Sequence, residues 1–345
     1  MSAPTLRDVA RHAGVSVRTV SNVVNNYAVV AATTRARVQA SIDLLGYRPN
    51  LLARHLKQGR SRIIGLVVPE LDVPYFAELA RLIIARARAR GYTVLIDQTD
   101  GDARRERELI TEHAYALSFD GVIVSPLALT ADDLRERRSG LPLLLLGEKL
   151  FGGGADHVAI DNVGAAREAT AHLLAAGRRR IAAIGVQPGA VTGTAALRVQ
   201  GYRLALAEAG VEPDESLLVP AARYHRANGA AAMAGLLDRP DPPDAVFCFN
   251  DLLALGALRV ALTRGLRVPQ DLAVVGFDDI EDGRYSTPTL TTVAPDKELL
   301  ARHAVEQLLG RIEDGDTGDP LELRTPYRLI VRESAPRGSR RVGHP

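Results

Sequence analysis

The pattern of apolar positions divides this chain into two regimes. From Thr5 the run TLRDVARHAGVSVRTVSNVVN places apolar or small residues at Leu6, Val9, Ala10, Ala13, Val15, Val20, Val23 and Val24. That spacing predicts two amphipathic helices with a break at Ala13-Gly14-Val15. Thr5 followed three residues later by Asp8 is a capping box in its aspartate form, and Ser16 suits the N-cap of the second helix, from about Val17 to Asn25. Gly14 sits where a tight interhelical turn needs a positive φ, and Ala10 is small enough for the helices to approach closely. A third helix is expected from about Thr34 to Leu45, capped by Thr33 or Thr34 and closed by Gly46. A short helical pattern follows at Leu51–Leu56, and KQGRSR (57–62) reads as a polar linker.

From Ile63 short apolar runs alternate with helical patterns. Strands are expected at IIGLVV (63–68), TVLID (93–97), GVIVS (121–125), LPLLLLG (141–147), HVAID (157–161), IAAIG (181–185), AVFCF (245–249) and LAVVGF (272–277). Helices are expected between them, such as Ala77–Arg90 closed by Gly91 and Asp102–Leu117. Continuous apolar strands separated by helices predict parallel sheets covered on both faces. Two such series in the remaining chain predict an α/β core of two doubly wound parallel-sheet lobes behind an all-α head.

Charge sharpens the reading of the head. Residues 1–60 carry nine arginines and lysines against Asp8 and Asp43, a net of +7, whereas the rest of the chain nets −5. The total of +2 hides this asymmetry. An ordinary helical hairpin in a protein core would not need it. A small basic head on a mildly acidic body predicts that only the head meets a polyanion. The first two helices then form a helix-turn-helix whose second helix enters the major groove of DNA. Its first turn points Val17 and Arg18 at base edges, where Arg18 can donate two hydrogen bonds to a guanine and Val17 can pack on a thymine methyl. Asn22, one turn later, is placed for an adenine or a phosphate.

The segments TLRDVARHAGVS…TVSNVVN and TRARVQASIDLLGYRPNLLARHLKQGRSRIIGLVVPEL resemble the lactose-repressor/galactose-repressor (LacI–GalR) family of bacterial transcription regulators, over essentially the whole chain. The resemblance implies lobes of the periplasmic-binding-protein type that exchange pieces of chain, as in a hinged clamshell. The helix from Pro295 to Arg311 would return to the first lobe and the strand around Tyr327–Val331 to the second. The implied organisation is a helix-turn-helix domain at 1–48, a hinge helix and linker at 49–62, an effector-binding and dimerisation core at 63–335 and a flexible tail at 336–345. Within the core, lobe 1 would span about 63–161 plus 293–325, and lobe 2 about 162–292 plus 326–335. In the family the positions of Val17, Arg18 and Asn22 vary to set operator sequence. Thr5, Ser16, Thr19, Ser21, Asn25, Thr34, Asn50 and Ala53 match positions that contact the DNA backbone or pack the hinge upon it. Leu56 from each subunit would wedge into the minor groove. An isolated helix as short as the 50–57 segment is marginal below about 12 residues, so it is expected to form only when two copies meet on DNA.

Ligand groups in doubly wound lobes sit just after the strands. By that rule Ser125, Glu148, Asp161, Asn250 and Asp278 are candidates. The family resemblance adds Tyr75 and Phe76 in the segment DVPYF, Thr192 and Arg198 in TGTAALRVQGY, and Tyr224 before Gly229. Asp251 is expected to cap the helix that follows it, and Asp279 to cap a helix or turn. Planar polar groups with aromatic faces suit a carbohydrate. A purine is the alternative, and the resembling purine-sensing branch has an arginine near Thr192, absent here. The expected mode is relief of repression by ligand, with corepression as the alternative. The expected partners are operator DNA, a small effector and a second copy of the chain.

Other classes find no support. No Gly-x-Ser-x-Gly, Walker or His-Glu-x-x-His motif occurs, so no catalytic residue, metal or cofactor is expected. The single Cys248 excludes an internal disulfide and reads as a buried strand thiol. MSAPTLRD lacks the apolar core of a secretion signal and no run is long enough to span a membrane, so the cytoplasm is expected, not export as a transport protein.

Overall fold

Runs of Ile, Val and Leu without polar alternation require a sheet covered on both sides. In the computed structural model such runs build two sheets. The structure describes residues 4–24, 27, 29–48, 60–111, 119–137, 140–147, 154–188, 193–315 and 318–337. The chain divides into two units, residues 1–62 and 63–345.

The first unit holds three helices: α1 (Leu6–Ala13), α2 (Val17–Val24) and α3 (Ala32–Leu45). Val9, Ala10, Ala13, Val20, Val23 and Val38 form their shared core, with Leu6, Val15, Ile42 and Tyr47 packed around it. The capping box is present in both directions: Thr5 N–H donates to Asp8 Oδ2 at 2.9 Å, and Asp8 N–H donates to Thr5 Oγ1 at 3.4 Å. Gly14 closes α1 at φ 61°, and Ser16 Oγ accepts from Thr19 N–H at 3.1 Å to cap α2. One expectation fails here. Helix α3 starts at Ala32, with Ala31 as N-cap and no side-chain capping bond, so Thr33 and Thr34 lie in the first turn. The main chain closes that turn itself, Arg35 N–H reaching Ala31 O at 2.9 Å, and no hydroxyl is needed.

In the second unit, strands β1 (Ile63–Val68), β2 (Thr93–Gln98), β3 (Gly121–Val124), β4 (Leu143–Leu146), β5 (Asp156–Ile160) and β11 (Glu322–Thr325) form one sheet, in the order β11-β5-β4-β3-β1-β2. Strands β6 (Ile181–Val186), β7 (Leu218–Pro220), β8 (Ala245–Cys248), β9 (Ala273–Phe277), β10 (Thr291–Pro295) and β12 (Tyr327–Ile330) form the other, in the order β12-β10-β9-β8-β6-β7. Pairing is parallel throughout except between β10 and β12. The helices of this unit are α4 (Pro74–Ala89), α5 (Ala103–Thr111), α6 (Ala131–Arg135), α7 (Asn162–Ala175), α8 (Thr194–Glu208), α9 (Arg226–Leu237), α10 (Asp251–Thr263), α11 (Glu281–Arg284) and α12 (Lys297–Glu313). Strands β7, β10 and β11 were not apparent in the sequence: the first is three residues long, the second is Thr-rich and ends in Pro295, the third is largely exposed. Helix α12 therefore begins two residues after Pro295, capped by Asp296, whose Oδ1 accepts from Leu299 N–H at 2.9 Å.

The chain passes between the sheets at β5 to α7, at β10 to α12, and at β11 to β12. The second and third passages are tied together by Asp296 N–H donating to Pro326 O at 3.0 Å. In the second lobe α9 and α10 approach until backbone meets backbone: a Cβ at Gly229 would collide with the Leu253 carbonyl, and one at Gly256 with the Arg226 carbonyl. Gly235, on the exposed face of α9, has open space around it. Gly256→Ala is therefore expected to cost about 1–3 kcal/mol by forcing the helices apart. Gly235→Ala should be neutral or stabilising by up to about 1 kcal/mol from helix propensity. Urea unfolding of the two variants checks this; equal midpoints would refute the close crossing.

Candidate functional site

The head presents a simple division of labour on α2. Val20 and Val23 face the helical core, which leaves the first turn outward: Val17 is 43% exposed and Arg18 is exposed. Around that turn the short polar groups hold each other, with Ser16 Oγ and Thr19 Oγ1 2.9 Å apart and Thr5 Oγ1 donating to Asp8 Oδ2 at 2.7 Å. Ser21, Asn22 and Thr34 are half-buried. Arg35 donates to the carbonyl of Tyr27 at 2.6 Å, whereas Arg37 is exposed. Asn25, Asn50, Ala53 and Leu56 lie outside the described residues.

The body holds a cavity of ≈ 380 Å³ between the ends of the two sheets, within the size range of about 300–1,000 Å³ typical of small-molecule sites. The first lobe contributes Glu70, Tyr75, Phe76, Asp100, Ser125 and Gly147, among others. The second contributes Gln187, Thr194, Arg198, Arg223, Tyr224, His225, Asn250 and Asp278. Tyr75 and Phe76 stand edge to face, 5.3 Å between centroids, at the start of α4 where Pro74 occupies a first-turn position. Arg198 is buried on α8. Its Nε donates to Asn162 Oδ1 at 2.7 Å, its Nη1 donates to the Phe249 carbonyl, and its Cζ lies 3.4 Å from the Phe277 ring centroid. Two hydrogen bonds and a cation–π face fix the guanidinium plane. Tyr224 donates its hydroxyl to the Gly185 carbonyl at 2.6 Å, and burial pushes its pKa up.

Asp278 and Asp279 end β9 with φ of 111° and 50°, backbone that non-glycine residues rarely adopt. Surrounding bonds hold them there. Asp278 N–H donates to Val293 O at 2.8 Å, and Lys297 Nζ donates to the Asp278 and Asp279 carbonyls at 2.9 and 3.3 Å. Asp279 is not a cap. Burial pushes its pKa up, but Arg332 at 2.6 Å and Arg284 at 2.8 Å outweigh this and hold it below the usual range. Nor is Asp251 the cap of α10. That place belongs to Asn250, in extended backbone, whose Oδ1 accepts from Leu253 N–H at 2.9 Å while its Nδ2 donates to Tyr224 O at 3.0 Å. Asp251, one residue on, turns fully inward and accepts from Ile280 N–H at 2.9 Å and Thr292 Oγ1 at 2.6 Å. Burial first, and the Asp278 charge second, raise its pKa well above the usual carboxylate range.

Profiles of two known domains match the chain: bacterial regulatory proteins of the lacI family at residues 5–50, and a periplasmic binding protein-like domain at residues 170–335. The transcriptional regulator DegA of Bacillus subtilis is 37% identical over 336 residues, covering 96% of this chain and 97% of DegA. CelR of Thermobifida fusca is 38% identical over 341 residues, covering 96% and 98%. The chain belongs to the LacI family of bacterial transcriptional regulators. Among solved structures, a CelR–cellobiose complex is similar with a TM-score of 0.69 at 36% identity, over 96% of this chain and 99% of that one. A Lac repressor dimer bound to operator and an anti-inducer is similar with a TM-score of 0.85 at 28% identity, over 97% and 100%.

In this LacI-family chain the cavity brings together Tyr75, Phe76, Ser125, Arg198, Tyr224, Asn250 and Asp278. Asp161 is not in its wall: exposed, it caps α7, its Oδ1 accepting from Gly164 N–H at 2.9 Å, and the neighbouring Asn162 turns inward to Arg198 instead. Glu148 and Thr192 lie outside the described residues. Sequence reasoning missed Glu70, Asp100, Arg223 and His225. Glu70 and Asp100 follow β1 and β2, so the strand-end rule applied strictly would have found them, whereas β7 is too short to flag the other two. Among the described residues no group of acidic, His or Cys side chains is placed to hold a metal, and no helix is long and apolar enough to cross a membrane.

Asp251 gives a pH signature. Folded, it keeps its proton where the unfolded carboxyl, near 3.8, has lost it. Its share of stability is thus full below that value and is lost as pH rises towards the folded pKa. Asp251→Asn keeps an acceptor for Ile280 N–H and should remove this share of the decline. Urea midpoints compared between about pH 4 and pH 8 test it; parallel curves for variant and parent would refute a protonated Asp251.

Proposed function

We propose that this protein is a cytoplasmic repressor without catalytic activity, released from its operator by a small neutral carbohydrate. The observation that carries the ligand class is the charge balance of the cavity. Glu70 is paired with Arg223 and His225, Asp100 with Arg105 at 3.2 Å, and the charges of Arg198 and Asp278 bear on the Tyr224 phenol with opposite signs. An anionic ligand such as a sugar phosphate would find no surplus of positive charge. A polyhydroxylated neutral one finds fixed donors at Arg198, acceptors at Asp278, and the rings of Tyr75, Phe76 and Tyr224 for its C–H faces. CelR, with its cellobiose complex, supports the same class.

In this reading Val17, Arg18 and Asn22 read bases, and Ser16, Thr19, Ser21, Thr5 and Thr34 with Asn25, Asn50 and Ala53 serve the DNA backbone. Leu56 wedges the minor groove. Two copies pair along the core, where Leu71, Leu95 and Ile96 are exposed beside the outer face of α4. Because both lobes line the cavity, an effector favours the closed arrangement only by binding it better than the open one. Closure shifts the first lobes, and with them the linkers at 57–62 that let the hinge segments meet.

Selection of operators from random DNA should return an inverted repeat. Arg18→Ala should relax the preference at one position per half-site and cost about 1–3 kcal/mol there, while Arg37→Ala should weaken all sequences alike and flatten the salt dependence. An Arg18→Ala operator identical at every position would sink the recognition-helix assignment.

A thermal-shift screen of neutral sugars, sugar phosphates and nucleosides tests the effector. The true class should raise the melting temperature in excess, by mass action. Arg198→Ala and Asp278→Ala should lose that shift and the ligand response while keeping operator affinity. A shift from nucleosides alone would replace the carbohydrate reading with the purine one. A pocket variant that lost operator binding while folded would favour corepression.

A further inference from the structure

Glu70 stands in the loop after β1 of the first lobe, with its side chain only 14% exposed. Both of its partners, Arg223 and His225, belong to the second lobe, in the loop between β7 and α9. His225 Nε2 meets Glu70 Oε2, and Arg223 Nη1 lies 3.7 Å from Glu70 Oε1. All three residues line the cavity. Each carboxylate oxygen thus has its own cationic or hydrogen-bonding partner across the cleft. Two other contacts between the lobes among the described residues differ in kind. Lys297 joins the lobes at the passage of chain from β10 to α12, where the covalent connection already holds them, and Val73 packs on Leu252 and Ile280 through apolar surface.

We infer that Glu70 is a positioning residue for the effector response: an ion-pair latch that favours the closed cleft independently of ligand. This rests on the reading of the cavity as the effector site. The bridge is made of protein groups alone, so it adds to the stability of the closed form whether or not the cavity is filled. It sets how much of the closing free energy the effector itself must supply. Because Arg223 is 59% exposed and His225 33% exposed, the bridge is worth the modest amount of a partly solvated pair. That is about two- to fivefold in the ratio of closed to open molecules. The apparent effector affinity scales with the closed fraction, so losing the latch weakens it by at most the same factor.

The test reads lobe separation directly, with no need of effector or operator. Cys248 is fully buried, so spin labels can be directed to Asp132→Cys on α6 of the first lobe and Leu262→Cys on α10 of the second in the full-length protein. Without effector, pulsed electron resonance should give a distance distribution holding both a short, closed separation and a longer, open one. Glu70→Gln should move about two- to fivefold of the closed-to-open ratio towards the longer one. High salt should do the same to the parent and little to the variant. The exchange Glu70→Arg with Arg223→Glu should restore part of the parental distribution, since it remakes the pair between residues 70 and 223 but not the contact with His225. An unchanged distribution in Glu70→Gln would overturn the latch. So would a shift that the charge exchange leaves in place, since that would be a packing effect of residue 70. Failure of the carbohydrate screen would leave these distances as they are, so the two readings fail separately.

Discussion

Two sheets that share one chain through three passages cannot part, and the geometry of the cavity between them depends on that constraint. The passages are anchored, not merely connected. Asp161 caps α7 at the first and Asp296 caps α12 at the second. Asp296 N–H binds Pro326 O at the third. Lys297, itself buried, spans from Glu78 of the first lobe to the Asp278 and Asp279 carbonyls of the second. The same lysine thus steadies the crossover of chain and holds the strained strand end that presents Asp278 to the cavity. Packing at the passages and geometry at the cavity are mechanically one problem.

The polar interior of the second lobe shows what this arrangement costs. Burying a charge is expensive unless it is neutralised or paired. The structure leans on both solutions side by side: burial pushes the Asp251 pKa well up, towards the neutral acid, whereas Arg332 and Arg284 hold that of Asp279, buried beside it, below the usual range. Their opposite pKa directions come from their partners, not from depth alone. Glu106 shows a third solution in the first lobe. Its buried carboxylate accepts the successive N–H groups of Leu127, Ala128 and Leu129 at 2.8–2.9 Å, which shapes the loop where Leu127 meets the cavity. The pairing of Asp279 is poorly explained as a device for stability, since apolar replacements of a buried ion pair are often as stable. Asp251 and Glu106, by contrast, are the acceptors of N–H groups that would otherwise go unpaired. They make sense as fixtures of a site.

Much of this was legible in the sequence where a single local rule decides the outcome. The Thr5–Asp8 capping box, the Gly14 turn and the both-sides-apolar strands such as LLLL at 143–146 needed no tertiary information. Reading failed where two residues compete for one role. Asn250 and Asp251 are both good caps, and only the packing of Ile280 and Thr292 against the second decides that the first is used. At 161–162 the first residue again takes the cap and the second turns inside, but here the aspartate caps and the asparagine is buried. Arg223 and His225 were invisible because their significance lies in Glu70, some 150 positions away in the chain.

The energies involved bear on how such a molecule can switch. Moving a two-state equilibrium from nearly all open to nearly all closed takes about 5.5 kcal/mol of differential binding. A partly exposed bridge at the cleft offers at most about 1 kcal/mol of that. The apolar contact of Val73 with Leu252 and Ile280 adds to it, yet both are small enough for thermal fluctuation to break. A cleft held by such contacts is biased but not locked, which, in the effector reading proposed above, leaves the larger share to groups that a ligand would complete: the fixed guanidinium of Arg198, the Asp278 carboxylate and the aromatic walls. A much stronger bridge would hold the cleft shut without effector and erase the signal. A protein that responds to its ligand must keep the contacts between its lobes weaker than the contacts the ligand makes to both.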